Sequence, residues 1–493
     1  MTDLGVVLGA GAAVLLVSVL AVRISVRLGL PSLLLYLAIG LLIGESGPLG
    51  IRFDNAELTQ ALGLAAIVFI LAEGGLTTRW QAVRPAVGLG LVLSTAGVAV
   101  SVGVTGAALH WLLDLDWRMA LIWGAVLSAT DAAAVFSVLR TTKVGARVVG
   151  PLELESGMND APVYILVVLL AADEPLTWWT PLLIGYELAA GAGIGIALGW
   201  GGAWLLRRSA LPATGLYPIA TVAVCVLAFA SGQLAHASGL LATYVAGLVL
   251  GNSRLPHRGD TLSFAEGLGW LSQIGLFVLL GLYASPSNLP GAVFPALVAG
   301  AVVVLAARPL SVLISAAPFR VPWREQAFIA WAGLRGAVPI VFALVPLTYG
   351  VPGARLLVDA LFVIVIVLTL LQGSTLPLAA RWLRLDDSAE MREVEVDAAP
   401  LDELNADLLQ VWVPPGSRLH GVYLTELRLP VGATVSLMVR DGSGFTPQPT
   451  TRVQEGDQLL VVSTAAAREA AERRIRAVHR AGRLARGLGE TGR

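Results

Sequence analysis

Thirteen apolar runs, set apart by short charged or turn-forming stretches, constrain this chain more than any other feature. They cover residues 4–22, 31–47, 58–76, 84–110, 119–140, 153–172, 181–206, 214–236, 239–252, 261–284, 291–317, 324–348 and 356–384, with 239–252 the shortest. Roughly 20 apolar residues cross the hydrocarbon core of a bilayer as a helix, and only helices and closed barrels satisfy every backbone group there. Composition agrees: 56% of residues are hydrophobic and 14% charged, where a soluble domain carries about a quarter charged. Leu4 to Val22 has no basic residue before it and no evident cleavage site, so it reads as a retained first span. The expected fold is an all-α polytopic membrane protein with a small soluble domain after residue 385. Net charge is −1, and no nucleic-acid partner is expected. The lone cysteine, Cys225, rules out an intrachain disulfide.

Loop charges give an orientation. With the N-terminus outside, the inner loops hold Arg23, Arg27, Arg79, Arg84, Arg140, Lys143, Arg147, Arg207, Arg208, Arg254, Arg258, Arg320, Arg324, Arg381 and Arg384. The outer loops hold Arg52, Arg118 and Arg355. Basic residues concentrate on the cytoplasmic side of membrane proteins, so a multi-pass cell-membrane protein with a cytoplasmic C-terminus is expected. An odd span count suits two inverted six-span repeats, spans 1–6 and 8–13, joined by span 7. Spans 5 and 12 carry polar interruptions at matching positions: Ser128-Ala129-Thr130-Asp131, and Gly333-Leu334-Arg335-Gly336-Ala337-Val338-Pro339. Broken helices at equivalent positions of two repeats point to a binding site near the membrane midplane.

The ionisable residues inside or near these spans are Glu73, Asp131, Glu153, Glu155, Asp160, Arg308 and Arg335. A carboxylate among lipid-spanning residues is disfavoured by roughly 3 kcal/mol or more and is kept mainly where it faces water or a partner. Asp160 precedes the apolar run Val163 to Ala172, which makes it the foremost candidate. Ser156 and Asp160 are four residues apart and share a helix face; Asn159 lies three from Ser156, and Glu155 and Asn159 share the next stripe. Hydroxyl, amide and carboxylate oxygens on one side of a helix suit a hard monovalent cation, and no His/Cys cluster suggests a transition metal. Milder readings exist for the others. Glu73 would reach the inner interface or join the site, Glu153 would be a first-turn acid at a helix N-terminus, Arg308 would snorkel, and Thr130 would bond its own backbone. Arg335 needs a counter-charge, for which Glu155 is the candidate. The end-of-span tryptophans Trp80, Trp111, Trp117, Trp178, Trp179 and Trp323 suit interfacial anchoring.

Three segments carry a family resemblance. Ser128 to Ser137, Glu153 to Pro162 and Gly333 to Pro339, together with Glu73-Gly74-Gly75-Leu76, resemble the monovalent cation/proton antiporters of the NhaP type across residues 1–385. The resemblance implies a thirteen-span fold with a dimerisation domain and a mobile core, and hence a homodimer. It implies that Asp160 exchanges cation for proton, and that Thr130, Asp131, Ser156 and Glu73 help form the cation site, directly or through water. Asn159 would brace the crossing of spans 5 and 12, and Arg335 would pair with Glu155. Electrogenic relatives have two adjacent aspartates where this chain has Asn159-Asp160, so the resemblance implies electroneutral one-for-one exchange.

After Leu385 the composition changes. Residues 386–403 read as an acidic linker, 404–464 as a small α+β domain, and 465–493 as a basic helical tail, either solvated or resting on the anionic inner leaflet. Strands are predicted at Leu408–Val413, Thr434–Arg440 and Gln458–Ser463, a short helix at Val422–Leu427, and turns at Gly432, Gly442 and Gly456. Leu424 to Thr464 resembles the C-terminal regulatory half of potassium-transport-linked domains, the RCK or TrkA-C type, which favours potassium over sodium. No G-x-G-x-x-G follows a strand here, so NAD and other cofactors are not expected; a small regulatory ligand such as a cyclic dinucleotide, or dimer contact alone, stays open. The expected function is secondary antiport of potassium for protons and not enzymatic. Alternatives are sodium by the same mechanism, or a gated cation channel, for which no repeated carbonyl-lined pore loop is found.

Overall fold

The computed structural model describes residues 4–28, 31–45, 47, 50–131, 144–172, 177–385, 396–401, 406–414, 416–440, 442–464 and 466–481. The distal half of span 5, with Arg140 and Lys143, and the tail beyond 481 lie outside them. By its contacts the chain divides into Met1–Asp386 and Asp387–Arg493.

In the first unit each predicted run coincides with helix over most of its described residues, with breaks at 129–131 and 332–336. The helices are α1 (Leu4–Leu28), α2 (Ser32–Ile43), α3 (Ala56–Thr77), α4 (Trp80–Leu112), α5 (Trp117–Ser128), α6 (Ala146–Met158), α7 (Asp160–Ala171), α8 (Thr180–Arg208), α9 (Leu216–Leu234), α10 (Gly239–Gly251), α11 (Arg258–Tyr283), α12 (Leu289–Phe319), α13 (Trp323–Trp331), α14 (Ala337–Thr348) and α15 (Ala354–Trp382). Among the described residues eight are long and apolar enough to cross a membrane: α3, α4, the joined α6–α7, α8, α9, α11, α12 and α15. Shorter apolar helices include α2, α10 and α14.

Local chemistry starts and stops these helices. Asn55 accepts from the Leu58 N–H at 2.9 Å, and Asp116 accepts from Arg118 and Met119 N–H at 3.1 Å each. Such caps satisfy the orphan donors of a first turn. At the far end of α7, Arg118 donates to the carbonyls of Leu170 at 2.7 Å and Ala171 at 2.9 Å. Small residues let helices approach backbone to backbone. A Cβ on Gly281 of α11 would lie 2.9 Å from Gly40 Cα of α2, and one on Gly75 of α3 would lie 2.9 Å from Leu248 N of α10. The expected repeats leave a matching mark. A π-helical turn interrupts α4 at Leu93–Gly97 and α12 at Val303–Ala307, spans 4 and 11 of the two proposed repeats. Ser311 of α12 donates to the Gly97 carbonyl at 2.8 Å, so the loosened turn of α4 is satisfied from its counterpart.

The second unit is a five-stranded antiparallel sheet, order β1-β2-β5-β3-β4, with two helices. Its elements are β1 (Val396–Leu401), β2 (Ala406–Trp412), α16 (Leu424–Leu427), β3 (Ala433–Arg440), β4 (Ser443–Phe445), β5 (Gln458–Thr464) and α17 (Arg468–Ala481). The three predicted strands and the short helix are present. Gly432 (φ 94°) and Gly456 (φ 85°) adopt the left-handed backbone their turns require. Two expectations are corrected. Part of the supposed linker forms β1; it is an edge strand, the place in a sheet where a proline such as Pro400 is tolerated. The described part of the supposed tail, residues 466–481, also belongs to the domain. Ala471, Ile475 and Val478 of α17 are buried against Leu409, Val411, Met438 and Val461, while its arginines ride the outer face in i,i+4 pairs with Glu469 and Glu472.

Candidate functional site

The site is built where two interrupted spans cross. α5 ends at Ser128 and the chain continues extended through Ala129 to Asp131; α13 ends at Trp331 and the chain runs through Gly333–Gly336 before α14 begins. The extended pieces touch: Asp131 N–H donates to the Leu334 carbonyl at 3.1 Å. Each piece then caps a half-helix of the other span. Asp131 Oδ2 accepts from Ala337 N–H, the first of α14, at 3.1 Å. Arg335 Nε donates at 3.0 Å to the Leu127 carbonyl in the last turn of α5, and Arg335 also donates to Gly333 O. A carboxylate at a helix N-terminus and a guanidinium at a C-terminus are the signs the helix dipole favours. Thr369 of α15 holds the Arg335 carbonyl at 3.2 Å.

Gly336 is required by this approach, since a Cβ there would overlap the Asp131 carboxylate. Gly336→Ala is expected to destabilise the protein by about 1–3 kcal/mol, the usual penalty of overpacking. It should also lower exchange, because the crossing must spread. Thermal unfolding and transport measured on the same preparation check this; an unaffected variant on both counts would contradict the contact.

Against the crossing lies the α6–α7 junction. Asn159, between the two helices, donates through Nδ2 to Thr130 Oγ1 at 2.7 Å, and Thr130 Oγ1 lies 3.2 Å from Ser156 Oγ. Asp160 opens α7. Thr130, Asp131, Ser156, Asn159 and Asp160 are all buried. Among the described residues, Asp160 Oδ1 and Asn159 Oδ1 are buried acceptors with no hydrogen-bond partner. Buried polar atoms are nearly always paired, so two such oxygens on adjacent residues mark a place where a donor or a cation belongs. Asp131 is near enough to Asp160 for their charges to repel, which a cation would relieve.

The last of the expected site residues, Glu73, lies on α3, against α11. It is half-buried, and a Cβ on Gly269 of α11 would lie 3.0 Å from its Cγ.

Three expectations about the surrounding charges change. Glu155 pairs with Arg308, not Arg335. Arg308 Nη2 donates to Glu155 Oε2 at 2.8 Å, Nη1 bonds Oε1, and Nη2 also reaches the Ile329 carbonyl at 3.3 Å. Both side chains are buried, Arg308 4% exposed and Glu155 2%. Arg308 therefore does not snorkel: its guanidinium is buried on Glu155. Gly333 makes room for two guanidiniums: a Cβ there would lie 2.7 Å from Arg308 Nε and 2.9 Å from Arg335 Nη1. Glu153 is not a first-turn acid, because α6 begins seven residues earlier at Ala146; its Oε1 lies 2.7 Å from Thr78 Oγ1 at the end of α3.

Comparison with known proteins agrees with this architecture. Residues 13–382 match the model of the sodium/hydrogen exchanger transmembrane family, and residues 408–476 match the TrkA-C domain. The chain is 37% identical to the K(+)/H(+) antiporter NhaP of Alkalimonas amylolytica over 458 residues, 91% of this chain and 79% of that protein. It is 37% identical to the K(+)/H(+) antiporter NhaP2 of Shewanella oneidensis over 469 residues, covering 92% and 80%. It is 27% identical to the Na(+)/H(+) antiporter ApNhaP of Aphanothece halophytica over 396 residues, covering 76% and 74%. Among solved structures, the sodium proton antiporter MjNhaP1 from Methanocaldococcus jannaschii superposes with a TM-score of 0.66 at 20% identity, covering 76% of this chain and 98% of that one. The fold is therefore that of a multi-pass helical membrane antiporter with a small C-terminal sheet domain.

Proposed function

We propose that this chain, which belongs to the sodium/hydrogen exchanger family, exchanges a monovalent cation for a proton at Asp160, one for one, with potassium as the favoured cation. Such a protein is a secondary transporter, not an enzyme. The observation that carries the reading is the buried oxygen of Asp160, without a partner among the described residues, on the residue next to the hydrogen-bonded set Asn159–Thr130–Ser156. One carboxylate cannot hold a proton and a cation favourably at once. Occupied by either, the site is neutral; bare, it is a charge whose passage through a low-dielectric barrier is strongly disfavoured. Asp160 alone would titrate in the cycle. Asn159 braces Thr130, and Asp131 stays a carboxylate at the start of α14, adding negative potential. Glu73 completes the set through water.

Thirteen crossings, an external N-terminus, a cytoplasmic TrkA-C domain, a cell-membrane location and a homodimer go with this proposal. Potassium is preferred because the 37% identical relatives are named K(+)/H(+) antiporters and match across both domains. The sodium alternative keeps the mechanism and rests on the relative and the fold neighbour named for sodium. A small ligand at the C-terminal domain would set the rate.

The test is exchange in proteoliposomes with an internal pH dye, an imposed proton gradient, and potassium or sodium added with and without clamped voltage. A potassium response indifferent to voltage supports the proposal. A response to sodium alone overturns the selectivity, and voltage-driven flux without proton movement indicates a channel. Competition for one carboxylate also fixes a sign. Below the titration of Asp160, the cation concentration for half-maximal exchange should rise about tenfold per pH unit, since the cation binds only the deprotonated site. A half-saturation concentration constant across acid pH would refute single-site competition.

A further inference from the structure

Glu153 lies outside the site just described, and the Thr78 hydroxyl beside it makes two short contacts to acceptors with one proton to give. Thr78 Oγ1 is 2.7 Å from the Gly74 carbonyl and 2.7 Å from Glu153 Oε1. A threonine hydroxyl has one proton and a carbonyl has none. Both separations are those of ordinary unshared O–H···O bonds, whereas one proton split between two acceptors would leave both bonds long. The three oxygens are satisfied together only if Thr78 donates to Gly74 and the proton of the other bond comes from the glutamic acid.

We infer that Glu153 is a second proton-bearing carboxyl of this protein, neutral in this conformation, and that its proton fastens α6 to α3. The position of Thr78 is held firmly. Asn252 at the end of α10 donates to the Thr78 carbonyl at 2.9 Å and accepts from Trp80 N–H at 2.8 Å. α3 and α10 are in backbone contact, while α6 packs on α4 through Leu154 on Gly90 and Gly150 on Ala86. The Glu153–Thr78 bond therefore joins one helix pair to another.

The groups facing it are few. α10 presents Tyr244, which also fills the space beside Gly157. α4 lines α6 with Val83, Ala86 and Gly90, and Arg79 and Arg84 are exposed. Glu73 on α3 lies against Gly269. Glu155 and Arg308 are on the other side of α6, two residues along. Among the described residues no cation is thus seated on Glu153 to hold it as a carboxylate. Being half-buried, it exchanges its proton with water. Ionisation forces Thr78 to abandon Gly74 or Glu153, and places a charge at the seam. Glu153 does not exchange cation for proton, so it leaves the stoichiometry unchanged and acts as a positioning residue that loosens the seam at alkaline pH.

The test is made on the full-length protein in lipid. Its infrared spectrum at neutral pH should contain a protonated-carboxyl C=O band that is absent from Glu153→Gln and moves to higher frequency in Thr78→Val, where the acid has lost its acceptor. Glu153→Gln keeps a donor toward Thr78 but never ionises, so it should retain exchange while the alkaline fall of its rate moves to higher pH. Identical carboxyl bands in wild type and Glu153→Gln would overturn the assignment; if that variant does not assemble, an unmoved band in Thr78→Val does so. The inference rests on the exchanger reading only for its rate measurement, so a wild type without exchange counts against that reading and leaves the infrared result to decide Glu153.

Discussion

Asp160→Asn is expected to reduce exchange to the leak of protein-free liposomes while leaving the fold intact. The amide cannot release a proton and has no charge to offer a cation, so neither half of the cycle remains. Stability should stay within about 1 kcal/mol of wild type or improve, since the swap is isosteric and removes a buried charge. It unpairs nothing at Oδ1, which has no partner among the described residues. Dye dequenching and thermal unfolding on one preparation separate the two effects. Exchange at a substantial fraction of wild type in Asp160→Asn would remove the central assignment. An unfolded variant would instead show that Asp160 is a structural acid.

The second large effect concerns the buried pair Glu155–Arg308. Arg308→Met should destabilise the protein by about 3–5 kcal/mol, because it strands a buried carboxylate. Replacing both partners with apolar residues should recover much of that loss, since a buried pair is repaid poorly for its desolvation and removing both charges leaves none unmatched. In a double-mutant cycle read by thermal unfolding, Glu155 should couple more strongly to Arg308 than to Arg335. Arg335 spends its bonds on the carbonyls of Leu127 and Gly333. Coupling of Glu155 to Arg335 as strong as to Arg308 would contradict the pairing. Arg335→Met should act differently, loosening the end of α5 and depressing exchange through the crossing.

Much of this was legible along the chain. Hydropathy found every helical run because burial in lipid leaves a signal about 20 residues long. Spacing on α6 grouped Ser156 with Asn159, and both meet Thr130. Other assignments failed for definite reasons. Arg308 looked like a snorkelling residue because its partner Glu155 lies 153 residues away and no pattern along one helix can show it. Glu153 looked like a first-turn acid because Arg147, Gly150 and Pro151 interrupt the apolar pattern at the start of α6, which begins at Ala146. The basic C-terminal segment looked solvated because arginines outnumber the three apolar residues that decide its packing. β1 was hidden by the acids around it and by Pro400, which an edge strand admits.

The sequence by itself determined that the chain is a polytopic helical protein with two interrupted spans, and that oxygen-bearing residues cluster on α6. These are properties of composition and of spacing within one helix, where near neighbours in sequence are near neighbours in space. The tertiary structure alone decided which charges meet. Arg308 finds Glu155 across 153 residues, Asp131 caps α14 across 206, and Thr78 reaches Glu153 across 75. Each depends on which faces of separate helices come together. That is set by small residues such as Gly333, Gly336 and Gly75, at which two backbones or two charged side chains approach closely enough to touch.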